Sequence, residues 1–181
     1  MNLPEQLQEY LHYPKLQLID VNTGLPEHEE VFDAPGQAVL IAFLTGLYAG
    51  TRSKEAAAAI AVLKDADQLL KSIFENENEI LNTISAFTKQ PVDISKNKLT
   101  EVSKGFIAYL QQHIPAEELN KEGYLQGLMT TQRHEILRYL PTGLRLGDSL
   151  KDETLEDKSN KMEGPISSLM HKIESSFSTS D

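Results

Sequence analysis

From Asp33 to about Leu140 apolar residues return every three or four positions, the period of helices that bury one face. Asp33 stands where it can cap a helix through Ala34-Pro35, and Val39, Leu40, Phe43 and Leu47 follow as one stripe. Ser53-Lys54-Glu55 opens a second helix whose four alanines, Ala56 to Ala59, favour helix and let a neighbour approach closely. Asp65 or Asp67 begins a third, with Leu69, Leu70, Ile73 and Phe74 inward. Asn76 or Asn78 begins a fourth, with Ile80, Leu81, Ile84 and Phe87 inward, and Pro91 ends it. Ser95 is expected to cap a fifth, which carries Leu99, Val102, Phe106, Ile107 and Leu110 and closes at Pro115. Two more helices are predicted, about Glu117 to Met129 and about Gln132 to Leu140.

The two ends read differently. Pro4 to Leu11 is a short helix candidate with its proline in the first turn, and Pro14, Gly24 and Pro26 prevent a longer one. Leu16 to Val21 alternates only partly and has no second strand to pair with, so an extended segment lying on the helical body is expected. Lys151 to Lys161 is polar, lacks aromatics and reads as a linker. Behind it, from Pro165, Ile166, Leu169, Met170, Ile173 and Phe177 make an amphipathic helical stripe. Such a stripe must dock on its own body or on another chain, so these five residues are the candidate interaction surface. The expectation is an all-α bundle of about six to eight short helices: arm 1–36, helical domain 37–150, and linker plus amphipathic helix 151–181.

Charge sharpens this division. The 181 residues carry 17 Lys and Arg against 27 Asp and Glu, a formal charge of −10. Residues 1–36 hold one basic and seven acidic residues, residues 37–150 twelve and thirteen, and residues 151–181 four and seven. The middle is close to neutral and the ends are acidic. No basic stripe with interleaved aromatics is present, which argues against nucleic acid as a partner. Acidity also disfavours an anionic membrane surface. The most apolar stretch, Ala38 to Ala49, is about twelve residues where a span needs roughly twenty. Met1 to Gln6 lacks the basic and apolar regions of a signal peptide, so a cytoplasmic location is expected.

Leu44-Thr45-Gly46-Leu47 followed by Arg52, and Leu125-Gln126-Gly127-Leu128 followed by Arg133, repeat one spaced pattern 81 residues apart. An old duplication or chance in a leucine-rich helical chain would each produce it. The second copy leads into Gln132, Ile136, Leu140-Pro141, Gly143-Leu144 and Gly147. This run of about 25 residues resembles the C-terminal part of the YidB-like family, a bacterial group of uncharacterised helical proteins. With only 10 glycines the chain departs from that family's usual abundance. The resemblance implies an all-helical, non-catalytic domain and offers no catalytic residues to carry over.

Chemistry is sparse. Without cysteine there are no disulfides, thiolate nucleophiles or zinc–thiolate sites. His12, His28, His113, His134 and His171 do not pair at helical spacing, and no metal or cofactor is expected. Glu27-His28-Glu29-Glu30 reads as a solvated acidic loop rather than a cation site. No nucleophile elbow or phosphate-binding glycine loop occurs, and Gly46 and Gly50 read as a close helix contact. Gln132, Arg133 and His134 are the candidate ligand-binding residues. If Thr131 caps the helix that follows, Arg133 and His134 oppose its dipole and call for a carboxylate or phosphate, from a neighbouring Glu or from an anionic ligand. The leading expectation is a binding or assembly module that contacts a protein or a second copy. A small-ligand binder or enzyme with a pocket near Arg133 and His134 is the alternative.

Overall fold

The computed structural model describes residues 2–19, 33–114, 118–141, 143–146 and 150. Those residues form seven helices and no sheet: α1 (Leu3–Tyr10), α2 (Ala34–Gly50), α3 (Lys54–Ala61), α4 (Ala66–Ile73), α5 (Glu77–Thr88), α6 (Val92–His113) and α7 (Lys121–Arg138). This is the expected all-α bundle. The amphipathic segment with Ile166, Leu169, Met170, Ile173 and Phe177 lies outside the described residues, as does the acidic loop around His28.

Helix α2 is the axis of the molecule, packed against α1, α4, α5, α6 and α7. It is buried from Gly36 to Leu47 on all sides, not only along the stripe of Val39, Phe43 and Leu47. A helix that is apolar all round needs such a shell. Phe43 meets Phe106 of α6 edge to face at 5.5 Å. Gly46 lets α2 touch the loop after α4: a Cβ there would stand 2.3 Å from the Phe74 ring. Gly50 faces Ile60 and Ile73 at ordinary contact distance.

Local chemistry sets the helix starts. Asn2, Asp33, Ser53, Asp65, Asn76 and Asn120 each accept a hydrogen bond from a first-turn amide. Ser95 does not cap a helix. Helix α6 starts three residues earlier, behind Pro91, and Ser95 is buried in its first turn. Pro91 holds extended geometry with φ −55 and ψ 144, and Asp93 puts negative charge in that turn, so no side-chain cap is needed.

The two helices expected either side of Thr130 are one. Helix α7 runs unbroken through Thr130 and Thr131, and Thr131 Oγ1 donates back to the Leu128 carbonyl at 2.8 Å instead of capping. Arg133 and His134 therefore lie in the C-terminal half of a helix, where positive charge suits the dipole. Before α2 the chain is extended from Tyr13 to Leu18 with Leu16, Gln17 and Ile19 buried, and Ile19 N–H donates to the Arg138 carbonyl at 3.0 Å.

Candidate functional site

Gln132, Arg133 and His134 do not converge on one space. Gln132 is buried, and its Oε1 accepts the Leu3 amide at 2.8 Å, so it holds the start of α1 against α7. Arg133 lies over the Tyr48 ring at 5.9 Å from the centroid, a cation–π contact with α2. The gap beside it, lined by Thr45, Tyr48, Ile136 and Leu137, leaves no room for a water molecule. His134 is exposed.

The polar residues around Gln132 extend into a clamp on the N-terminal segment. Gln37, buried in α2, accepts the Gln17 amide through Oε1 at 2.8 Å. Its Nε2 donates to the Gln17 and Tyr139 carbonyls, each at 2.8 Å. The Tyr139 hydroxyl donates to Glu5 Oε1 at 2.5 Å, and Asn2 Nδ2 reaches Glu135 Oε2 at 3.4 Å. Burial, and then the hydrogen bond to Glu5, push the Tyr139 phenol up to about 12. Among the described residues no buried side-chain nitrogen or oxygen lacks a partner. A network this complete is structural glue: its donors and acceptors are spent on the protein's own backbone.

Open space lies elsewhere. A cleft of about 610 Å³ is framed by the end of α3 and the turn after it, the last turns of α6, and the start of α7. Its floor is Leu63, Ile107, Leu110 and Ile114. Gln111 and Gln112 add amides, and the charged residues of the lining are Lys64 and Lys121. Neither lysine has a carboxylate partner among the described residues. Nearby acids are engaged in turns: Asp65 accepts the Gln68 amide and Glu118 the Asn120 amide. Lys121 opens α7, so the positive end of that helix adds to the cationic rim.

One strongly exposed apolar side chain, Val62, lies in its lining, at 65% exposure. Among the described residues the lining contains no carboxylate, histidine, serine or threonine. It can hold an apolar stripe between positive groups, the demand of an amphipathic helix with acidic flanks.

The sequence did not point to this cleft, because its parts come from three separate segments. Among the described residues no three acidic or histidine side chains gather to hold a metal ion, and no helix is long and apolar enough to cross a membrane. Comparison with family models, curated proteins and solved structures found no match.

Proposed function

We propose that this chain is a non-catalytic binding module whose cleft between α3, α6 and α7 receives an acidic amphipathic helix. One observation carries the reading: Val62, 65% exposed, stands in a cleft whose charged lining among the described residues is Lys64 and Lys121, in a chain of net charge −10. Exposed apolar surface rimmed by polar groups marks interaction sites. A helix laid into such a groove buries its stripe on Leu63, Ile107, Leu110 and Ile114 and sets its acids beside Lys64 and Lys121. A cytoplasmic, bacterial setting, in line with the YidB-like resemblance, accords with this role.

The test places a photoreactive benzoylphenylalanine at Val62 of the full chain in living cells. Irradiation is expected to give an adduct whose partner peptide, read by mass spectrometry, is an acidic amphipathic helix. Lys64→Glu with Lys121→Glu should abolish the adduct and leave the melting temperature unchanged. Labelling no stronger than from the same residue at Ile94 would overturn the reading.

A further inference from the structure

We infer that the face shared by α2, α6 and α7 is a peptide-binding groove, which residues 2–19 occupy as an intramolecular ligand and for which an extended peptide with the same apolar positions competes. It uses none of the residues that line the cleft between α3, α6 and α7. Its contacts are of the kind that reads main chain. The Gln37 carboxamide pairs with both peptide groups of one residue: Oε1 accepts the Gln17 amide and Nε2 donates to the Gln17 carbonyl, each at 2.8 Å. A strand offers the same two groups to its neighbour. Ile19 N–H donates at 3.0 Å to the carbonyl of Arg138, in the last turn of α7, where carbonyls have no partner within the helix. Gln132 Oε1 accepts the Leu3 amide at 2.8 Å. In peptide recognition of this type main-chain bonds give affinity and side-chain pockets give specificity. Here Leu3, Leu7, Leu16 and Ile19 are the buried side chains, and Gly105 of α6 makes room for Leu11.

Release of the segment is separable from unfolding of the bundle. The bonds that hold it come from side chains and from the end of α7, so its departure breaks none of the hydrogen bonds inside α2 to α7. Much of what it uncovers is polar. The Tyr109 hydroxyl donates to Gln6 Oε1 at 2.8 Å and the Tyr139 hydroxyl to Glu5, and water can replace both partners, as it can at Gln132. Gln37 keeps the Tyr139 carbonyl, also at 2.8 Å, after Gln17 has gone. Helix α2 meanwhile retains α4, α5, α6 and α7 around it. The docked segment is therefore an autoinhibitory contact: it fills a groove that recognises extended backbone, and its exit opens that groove to a partner.

The test uses the full chain and a fluorescein-labelled synthetic peptide of residues 2–19. In the variant Leu16→Glu with Ile19→Glu the chain's own segment loses its anchors, and the groove is left to the probe. Fluorescence anisotropy should show the probe bound at least about tenfold more tightly than by the parent, where the tethered segment competes at roughly millimolar effective concentration. A probe that itself carries Leu16→Glu and Ile19→Glu should not bind. Amide hydrogen exchange in the unmodified chain supplies the second reading. The Leu3, Gln17 and Ile19 amides should exchange at least about a hundredfold faster than those of Leu40 to Leu44 in α2, because the segment opens while the bundle stays closed. Probe binding no tighter than the parent's, in a variant that keeps its helical circular dichroism, overturns the inference. Equal exchange rates in the unmodified chain overturn it too, whether or not the variant folds.

Discussion

Gln37 is the single side chain on which most of the buried polar order depends. It sits buried in the first turn of an apolar helix, where an unpartnered amide would be costly, and its side-chain hydrogen bonds go to the backbone of Gln17 and Tyr139. Gln37→Leu keeps the volume but orphans the buried Gln17 amide. A loss of about 2–3 kcal/mol in urea unfolding is expected, well above the typical surface substitution. Tyr139 contributes a pH dependence. Its folded phenol titrates near 12 against an ordinary value of 10, because burial and Glu5 favour the neutral form. That stabilisation is complete below pH 10 and is lost as pH rises through 12. Burial also raises Tyr13 and Tyr109, so the melting temperature should fall steeply above pH 10. The fall should be shallower in Tyr139→Phe, as followed by circular dichroism.

At the scale of elements, the two copies of the L-x-G-L-x-x-x-x-R pattern do different work. Gly46 is fixed by the Phe74 ring, whereas a Cβ at Gly127 would meet nothing within 4 Å. Gly46→Ala should therefore destabilise by about 1–3 kcal/mol through overpacking. Gly127→Ala should stabilise by up to about 1 kcal/mol through helix propensity. Thermal melts of the two variants, opposite in sign, check both. The same contrast explains what could be read from the chain alone. Helix starts at Asp33, Ser53, Asp65 and Asn76 are local events, so residue type at the boundary reveals them. Ser95 misleads because Pro91 had already set the entry geometry of α6. Thr130-Thr131 misleads because a threonine that bonds back to its own helix looks, in sequence, like one that begins a new helix. Gln132, a ligand-binding candidate in the sequence, accepts the amide of Leu3, 129 residues away, and no local pattern encodes that.

The whole molecule is organised by one apolar helix and by how its ends are tied. Five helices pack around α2, and the cleft is a place at the edge of that packing where Val62 is exposed and Leu63 and Ile114 are half-buried beside two lysines. Net charge obscures this, because a total of −10 conceals a local cationic surface. At physiological salt the screening length is about 8 Å, so Lys64 and Lys121 are felt chiefly by a ligand already at the rim. Selectivity for acidic flanks is thus a contact property, and not one of long-range steering.

The clamp between the two ends of the described chain has a temporal meaning. Residues 2 to 5 are held by Gln132, Glu135 and Tyr139, and Ile19 is held by the carbonyl of Arg138. Contacts so distant in sequence form late, since the intervening chain must first be ordered. During synthesis the N-terminal segment leaves the ribosome first and must wait for α7 before it can dock. Until then Leu3, Leu7 and Leu16, all buried in the finished protein, stand open on the nascent chain. The segment made before α7 is secured only once α7 is in place, so its apolar side chains are exposed longest during folding.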